Sequence, residues 1–469
     1  MLKKSTIVLM ILFLVFTLPV SVKGYQFDSV FSQKVNYLND EEIYEGITEL
    51  NMEFTKDFGM NKKLYLNPVL KLKLSENIKF EDTGLNEKPF EDNDYDYLKE
   101  GYMDFYLKDA DIRVGKQIVD WGSAYELNPT DVINPTDFTA EDPTSSELGV
   151  QAIKTDYYFN FNTSLSGVLV AKHRPSLIPN TIENMINDTT EKMIYEEIYT
   201  NVSEVVKKEG LPINPEKKSK KILANNFSIN KAKDREILDS SDSPEVGLKL
   251  TRRNYKGFDI ALNYFKGYED LPLIVSDYEE VKAELAQIVV DTIDNNSSTQ
   301  KTSIDFGYKD TQALGFSGRG SLGSIGVWSE INYNINEDEE KKIDAVIGGD
   351  YTFENNLYTV AQVFHRSYKD YKINDILENS GKDKLLKDQT YLILHGDIPF
   401  RSIHTINTDL IVDLGGNGYM LNPEVELSLG TDYSLDLGAV IMDQENTNDF
   451  STLNMLGNEK AYAEFTWNF

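Results

Sequence analysis

Apolar and polar residues alternate with a period of two along several stretches of the chain. The clearest stretch is 64–74, where leucines alternate with polar or aromatic residues, and the pattern recurs over 50–55, 303–309 and 424–429. Because successive side chains of a strand point to opposite faces, each stretch predicts a strand with one apolar and one polar face. The chain is therefore predicted to be all-β, either as a sandwich around an apolar core or as a barrel with an apolar outer surface.

The connections between these strands are of two alternating kinds. Tight turns are predicted at 56–61, 108–110, 159–161, 253–256, 317–322, 354–356, 399–402 and 431–432. The links between them are mostly longer, at 75–96, 122–147, 173–243, 267–300, 369–387 and 443–459, with shorter ones at 39–42, 336–341 and 413–418. Outer-membrane barrels have this asymmetry, and a Greek-key sandwich has no reason to keep it. The pattern predicts a transmembrane antiparallel β-barrel of about 18 strands, and a count of 16 stays open.

The N-terminus has the three parts of a secretory signal peptide. Two lysines precede an apolar run over residues 7–22, and small residues close that run. This order predicts a signal peptide at residues 1–24, cleaved near Gly24, ahead of a barrel domain at 25–469. An uncleaved anchor is the alternative. No second apolar run reaches the ~20 residues of a membrane-spanning helix, so a membrane location requires a closed barrel, here in a bacterial outer membrane.

The last strand-like segment alternates aromatic and polar residues and stops on an aromatic one. Phe465, Trp467 and Phe469 alternate with Thr466 and Asn468. This segment resembles the terminal strand of outer-membrane β-barrels. The resemblance implies two partners, the outer-membrane lipid and the barrel-assembly machinery, which recognises such a terminal strand.

A second distinctive segment begins at Arg113 with the letters RVGKQIVDWG, and two NPTD motifs follow at 128–131 and 134–137. Over about 25 residues, it resembles a strand-and-loop signature of poorly characterised outer-membrane β-barrels of the porin and alginate-export type. The resemblance implies the same fold and a membrane-channel function. By alternation, Arg113 and Gln117 share the lumenal face of the strand.

The doubled NPTD turn is predicted to fold back into the mouth of the barrel. Pro129 and Pro135 fix φ and keep the residues before them extended, which makes the turn rigid. In the functional interpretation the loop and the strand form a pore constriction of Arg113, Gln117, Glu126, Asp131 and Asp137, in which the three carboxylates face Arg113. In the structural interpretation the turn only caps the strand. Both interpretations stay open at this point.

Charged residues on the polar faces of the strands are predicted to line the lumen. They are Glu53, Lys71, Lys73, Asp305, Glu330, Asp350, Glu424 and Glu426. Charged rings set ion preference in pores, so the excess of acidic residues predicts a preference for cations. The full chain has a net charge of −30, which long soluble loops or a saline habitat also explain.

Two long links, at 173–243 and 268–300, carry helical periodicity. Apolar residues recur every three or four positions before Gly210 and again between Tyr278 and Ile293. These helices are predicted either to pack on the barrel mouth or to enter the lumen as a plug. The lysine-rich stretch 215–238 is predicted to be flexible.

Motifs that carry chemistry are few. The chain has 0 Cys, which excludes thiolate sites, and its acidity argues against binding to nucleic acid. None of the 4 His forms a metal-spaced pair. The sequence therefore predicts no metal, no cofactor and no enzymatic activity. A hydrolase at the lumen edge is the least favoured hypothesis, and it depends on His395 and Asp397, which share one face of a predicted strand.

The leading functional hypothesis is a porin-like channel for the passive diffusion of small solutes, as a monomer or a homo-oligomer. The alternative is a plugged barrel whose long acidic loops bind a partner, a surface or Ca²⁺. A conductance measurement separates the two hypotheses, because only an open lumen carries a steady ionic current.

Overall fold

The computed structural model describes residues 25–38, 43–75, 97–140, 146–230, 244–294, 297–371, 386–401, 403–416, 418–444 and 459–469. The predicted signal peptide lies outside these residues. Within them, 18 strands pair into one antiparallel sheet, each with its neighbour along the chain, and the first strand also pairs with the last. The sheet is therefore a closed barrel without a free edge. The predicted barrel is confirmed, with 18 strands rather than 16.

The strands and helices follow one another in a fixed order along the chain. The first part contains β1 (Tyr25–Leu38), β2 (Ile43–Asp57), β3 (Lys62–Ser75), β4 (Leu98–Tyr106), β5 (Ala110–Gln117), β6 (Val150–Asn160), β7 (Thr163–Val170), α1 (Asn180–Glu209), α2 (Pro215–Asn226), β8 (Phe227–Asn230), β9 (Glu245–Tyr255) and β10 (Phe258–Tyr268). The second part contains β11 (Leu273–Ile274), α3 (Tyr278–Asp294), β12 (Thr302–Gly307), β13 (Asp310–Leu322), β14 (Ile325–Asn336), β15 (Lys341–Thr352), β16 (Tyr358–Lys369), β17 (Gln389–Phe400), β18 (His404–Asp413), β19 (Gly418–Ser428), β20 (Tyr433–Gln444) and β21 (Lys460–Asn468). All strands except β8, β11 and β12 belong to the barrel.

The two rims of the barrel differ in the length of their connections, as the sequence predicts. One rim carries only short turns, and the other carries the long connections together with three short ones. The predicted turn at 317–322 is wrong, because β13 continues to Leu322 and the chain turns at 323–324. The error arises because the alternation over 303–309 also predicts the start of a barrel strand. That stretch contains β12, which lies in a separate sheet with β8 and β11.

Strand β14 shows how the alternation produces two chemically different faces. Glu330, Asn332 and Asn334 point into the barrel and are at most 7% exposed, whereas Ile331 and Tyr333 between them are 48% and 37% exposed on the outside. Polar groups therefore face the lumen and apolar groups face outward. This arrangement is that of a membrane barrel and the reverse of a soluble sandwich.

The helices and the small sheet form a unit with an apolar core of their own, which we call the helical unit. Ile194 and Ile198 of α1 pack with Leu285 and Ile288 of α3, and all four are fully buried. Among the described residues, this core contains no barrel side chain. The two predicted helices are confirmed, and α1 ends at Gly210 with φ of 66°. The contacts favour a unit at the long-loop rim over a plug. No helix in the described ranges is long and apolar enough to cross a membrane.

The lysine-rich stretch 215–238 begins with regular structure, which corrects the prediction that it is flexible. Residues 215–230 form α2 and β8. The Asn214 side chain accepts the Lys217 N–H at 3.0 Å, Pro215 occupies the first turn, and Ile222 is buried. An Asn cap followed by Pro is a helix-start signal that the lysine content concealed. Residues 231–238 lie outside the described residues.

The barrel closes at the seam between β1 and β21. Ser29 and Phe469 exchange two backbone hydrogen bonds of 2.9 Å, and Lys34 Nζ lies 3.3 Å from Glu464 Oε2 on the lumenal side. On the outer face, the ring of Trp467 stacks on another aromatic ring, with 5.9 Å between the ring centroids. The predicted terminal strand thus supplies the last pairing of the sheet.

We expect a disulfide to form across this seam in the double variant Ser32→Cys and Thr466→Cys. The two residues are register partners, three positions from the hydrogen-bonded pair at Ser29, and therefore form a non-hydrogen-bonded pair with close Cβ atoms. Since the chain has 0 Cys, no other thiol competes. Faster migration of the unfolded chain on a non-reducing gel measures the crosslink.

The matched control combines Ser32→Cys with Tyr462→Cys, which is four positions out of register. This pair is expected to stay reduced under the same mild oxidant. A closed barrel is contradicted if the in-register pair stays reduced, or if it links only two separate chains.

Candidate functional site

The described part of the connection between β5 and β6, residues 118–140 and 146–149, lies inside the barrel, and we call it the lumen loop. Lys249 of β9 donates to the Trp121 carbonyl at 2.6 Å, and Asn263 of β10 donates to the Thr130 carbonyl at 3.2 Å. The tip of the loop reaches β17, which stands nine positions from β5 in the ring of 18 strands. The loop therefore crosses the lumen from one wall to the opposite one.

A single buried carboxylate holds the middle of the lumen loop. Glu330 on β14 is 3% exposed. Its Oε1 accepts the backbone N–H of Ser123, the Ser123 hydroxyl at 2.7 Å and the Ala124 N–H at 3.0 Å. Its Oε2 accepts the Thr130 N–H at 3.0 Å and the Thr130 hydroxyl at 2.8 Å. Hydrogen bonds to an ionised acceptor are the strong ones, so Glu330 fixes both ends of the segment 123–130.

Gln362 on β16 holds the tip of the loop with both the oxygen and the nitrogen of its side-chain amide. Its Oε1 accepts the Tyr125 N–H at 3.1 Å and the Trp328 indole N–H at 2.7 Å, while its Nε2 donates to the Glu126 carbonyl at 2.5 Å. The Tyr125 hydroxyl lies 3.3 Å from Asp409 Oδ1 on β18. The backbone of the loop thus obtains hydrogen-bond partners from the far wall, as a buried segment must.

The second NPTD motif holds the two ends of the lumen loop together at its base. Asn134 Oδ1 accepts the Val119 N–H at 2.7 Å, and Asn134 Nδ2 donates to the carbonyls of Leu148 at 2.8 Å and Gln117 at 3.2 Å. The Gln117 side chain is fully buried and donates to the Ala152 carbonyl at 2.9 Å. Gln117, predicted at the constriction, therefore joins the loop to the wall and does not face the water.

An apolar contact completes the attachment of the loop. Trp121 and Ile133 are 2% and 3% exposed and pack with apolar residues of the wall. They fit against Gly247 on β9, where an added Cβ would lie 2.6 Å from Ile133 Cδ1 and 2.7 Å from Trp121 Cη2. A larger residue at position 247 would force the side chains of Ile133 and Trp121 to shift, because both contacts are shorter than real Cβ atoms show.

Arg113 lies on the lumenal face of β5 but does not meet the loop carboxylates. Its Nε lies 2.7 Å from Asp104 Oδ1, and its guanidinium lies 3.7 Å from the centroid of the Tyr102 ring. The predicted approach of the loop carboxylates to Arg113 is wrong, since the loop leaves β5 at Gln117 and runs to the opposite wall.

The three loop carboxylates predicted at the constriction occupy different places. Glu126 lies at the loop tip, where its carbonyl binds Gln362. Asp131 Oδ1 accepts the Trp121 N–H at 3.4 Å. Asp137 Oδ1 accepts the N–H of Thr139, two positions away, at 2.9 Å, so it stabilises its own turn. These residues shape the loop and do not form one charged ring.

We call the lumenal face of β1–β3 and β19–β21 the acidic sector. Its central carboxylates, none of which is buried, are Glu49, Glu53, Glu424, Glu426, Asp436 and Glu464. Two lysines of the same face pair with two of them: Lys34 Nζ is 3.3 Å from Glu464 Oε2, and Lys71 Nζ is 4.0 Å from Glu49 Oε2. The hydrogen bonds of the loop tip and centre described above reach β9 to β18, on the other side of the lumen.

The other residues predicted to line the lumen are placed as follows. Glu53, Lys71, Glu424 and Glu426 belong to the acidic sector, while the side chain of Lys73 lies outside the described part of β3. Asp350 on β15 lies 3.8 Å from Arg319. Asp305 lies on β12 of the helical unit, where its Oδ1 accepts a hydrogen bond from Asn230 at 2.7 Å, so its assignment to a barrel strand is wrong. Glu330 binds the loop and is not a water-facing wall residue.

His395 and Asp397 do share one face of β17, as predicted. His395 Nε2 lies 2.9 Å from Asp397 Oδ1, and His395 Nδ1 lies 2.7 Å from Asp409 Oδ1. The ring of Tyr125 packs against the imidazole, with 5.1 Å between the ring centroids. Both ring nitrogens already bind carboxylates, so this geometry offers no free nitrogen to activate a serine. In the described ranges, no three His, Asp or Glu side chains are grouped to hold a metal ion.

The sequence could not have identified Glu330, Gln362 and Tyr125 as the residues that position the loop. Alternation places the first two on the lumenal face. It does not tell which lumenal side chain meets a loop residue more than 200 positions away.

Comparison with known proteins identifies a family. The model of the family described as "Protein of unknown function (DUF1302)" matches residues 34–468. A search of curated proteins found no match.

Several solved structures share the general shape of the chain. OccK5 (OpdH) of Pseudomonas aeruginosa is 8% identical, with a TM-score of 0.47 over 95% of this chain and 97% of that chain. OccAB3 of Acinetobacter baumannii is 8% identical, with a TM-score of 0.48 over 95% and 98%. OmpF of Salmonella typhi, in a complex with daunomycin, is 8% identical, with a TM-score of 0.44 over 95% and 97%. Since these TM-scores lie below 0.5, the barrel assignment rests on the strand pairing described above.

We expect Glu330→Gln to loosen the centre of the lumen loop while the barrel stays folded. The substitution removes the charge and turns an N–H group toward donors of the loop. Hydrogen bonds to a charged acceptor contribute about 1.5–3 kcal/mol, so amide exchange at residues 123–130 is expected to rise about ten- to hundredfold. Hydrogen exchange followed by mass spectrometry measures this change.

The control is Glu49→Gln, which removes a lumenal carboxylate of the acidic sector that pairs with Lys71, across the lumen from the residues that hold the loop. It is expected to leave exchange at residues 123–130 unchanged. Equal exchange in both variants and the parent chain would show that Glu330 does not hold the loop.

Proposed function

We propose that this chain, which belongs to the DUF1302 family of proteins of unknown function, is a bacterial outer-membrane channel through which small solutes diffuse passively. The solutes pass between the lumen loop and the acidic sector. No chemical step is needed, because a concentration gradient drives the flux.

The size and surface of the barrel support a channel. Barrels of about 16–18 strands leave an aqueous lumen that side chains alone do not fill. The outer surface exposes large aliphatic residues, among them Leu262, Leu314 and Ile347 at 54%, 60% and 66% exposure. Such a surface suits lipid and is unfavourable in water.

The one-sided attachment of the lumen loop is the observation that carries the proposal. Glu330, Gln362 and Asp409 hold the loop against β14 to β18. The carboxylates of the acidic sector, across the lumen, remain accessible to solvent. The loop therefore narrows the lumen from one side, which favours a constricted channel over a filled barrel.

The charges beside the remaining passage support a preference for cations. The acidic sector has six central carboxylates, and two lysines of the same face, Lys34 and Lys71, are each paired with one of them. Fixed charges along a low-dielectric wall concentrate counterions. We therefore infer that the channel passes cations more readily than anions of the same size.

We expect the purified chain to give steady single-channel currents in a planar bilayer, with a reversal potential on the cation side under a KCl gradient. In the double variant Glu424→Gln and Glu426→Gln, two of the six central carboxylates become neutral. The reversal potential is then expected to move toward zero by about a third, with conductance retained.

The matched control is Glu354→Gln, a neutralised carboxylate in an exposed short turn outside the lumen. It is expected to keep the parent reversal potential. Currents with no ion preference would refute the charge argument alone. A silent bilayer, with insertion shown by heat-dependent gel mobility, would refute the channel and favour a plugged barrel whose loops bind a partner, a surface or Ca²⁺.

A further inference from the structure

A cavity of about 230 Å³ lies between the lumen loop and the wall. Its loop side comes from residues 127–138 and 146–147. Its wall side comes from the ends of β10 and β13–β17 that meet the long connections. The cavity is therefore at the long-loop rim, where a solute arrives before it reaches the constriction. Its volume suits a small solute, since cavities for drug-sized ligands begin at roughly 300 Å³.

Three buried oxygen atoms of the cavity lining have no hydrogen-bond donor among the described residues. They are Asn128 Oδ1, Glu147 Oε2 and Asn332 Oδ1. Asn332 is only 1% exposed. Buried acceptors are normally paired, and these three come from the two ends of the loop and from β14. Each of these oxygens can therefore accept a hydrogen bond from a ligand that donates.

The basic residues of the lining are already neutralised by neighbouring carboxylates. Arg366 forms a bidentate pair with Asp344, with hydrogen bonds of 2.7 and 2.8 Å. Lys342 Nζ lies 3.6 Å from Glu269 Oε2. These two bases are therefore poorly placed to recognise an anionic ligand.

The acidic residues of the lining leave one negative charge directed at the cavity. Burial, and then the nearby charge of Glu147, raise the pKa of Asp131 well above its usual value. Burial also raises the pKa of Glu147, but the neighbouring Asp131 carboxyl lowers it, so Asp131 is the group of this pair that is protonated first. On the same lining, burial raises the pKa of Asp270 to about 7. Glu147 is therefore the carboxylate of the pair, and its Oε2 has no donor among the described residues.

Aromatic side chains form the apolar part of the lining. Phe265, Phe364 and Tyr368 lie on the wall side of the cavity. Aromatic faces attract cations and cover short aliphatic groups. The lining therefore combines three acceptors and one negative charge with an apolar surface.

We propose that this cavity binds a small organic cation with several N–H donors and a short apolar body, of which a primary alkylammonium is the simplest. The ammonium group offers three hydrogen-bond donors to the acceptors of the lining, and the alkyl group packs on the aromatic side chains. The inference rests on the proposed function, since it names the class of solute that this site loads at the mouth of the channel.

Isothermal titration calorimetry of the folded full chain in detergent tests the site, with n-butylammonium as the probe. We expect one binding site per chain. Butyrate, which has the opposite charge, and n-butanol, which has one donor and no charge, are expected not to bind. Binding of butyrate in place of n-butylammonium, or binding of neither, would overturn the proposal.

Two variants locate the bound cation. Glu147→Gln removes the charge and Asn128→Leu removes an acceptor, and each is expected to weaken binding roughly tenfold. Glu354→Gln is the matched control and keeps the parent affinity. Heat-dependent gel mobility shows whether each variant is folded, and Asn128→Leu alone decides if Glu147→Gln does not fold. Unchanged affinity in a folded Asn128→Leu variant overturns the assignment.

The calorimetry and the conductance measurement separate this inference from the proposed function. Cation-sided currents without n-butylammonium binding would refute the site and keep the channel. Binding to a chain that gives no currents would refute the channel, and with it the role of the site in loading it.

Discussion

Backbone hydrogen bonding in a medium without water is the constraint on which the rest of the structure depends. Each strand that lipid surrounds must pair on both edges, and the pairing of β1 with β21 leaves no edge unpaired. The alternation of side chains then sends apolar groups outward and polar groups into the lumen. In the lumen, wall side chains pair backbone groups of the loop, as Glu330 and Gln362 do. Closure of the sheet and attachment of the loop therefore both depend on paired backbone groups.

The loop divides the lumen into two regions with different chemistry. On one side, the acidic sector has carboxylates that remain in contact with solvent. On the other side, the loop and the wall enclose a cavity whose acceptors Asn128, Glu147 and Asn332 have no donors. Both regions attract cations, although different strands form them. The position of a single loop therefore determines both the proposed permeation path and the proposed recognition site.

The sequence predicts the barrel well because strand alternation and loop length are local properties. It identifies the two rims, the aromatic strand ending at Phe469 and the apolar faces of α1 and α3. It fails where the outcome depends on distant partners. The alternation over 303–309 is the same for a barrel strand and for β12, and only packing with the helical unit distinguishes them. Likewise, no local signal shows that Glu330 binds Ser123, which is 207 positions away, or that Arg113 prefers Asp104.

Photocrosslinking from the tip of the lumen loop tests the central claim most directly. With p-benzoylphenylalanine in place of Tyr125 in the membrane-inserted chain, the reactive ring lies where Tyr125 contacts His395 and Asp409. The account predicts that mass spectrometry finds crosslinked peptides from β17 or β18, on the wall opposite β5. Crosslinks confined to β4–β7, or to the helical unit, would show that the loop does not cross the lumen, and would contradict the account.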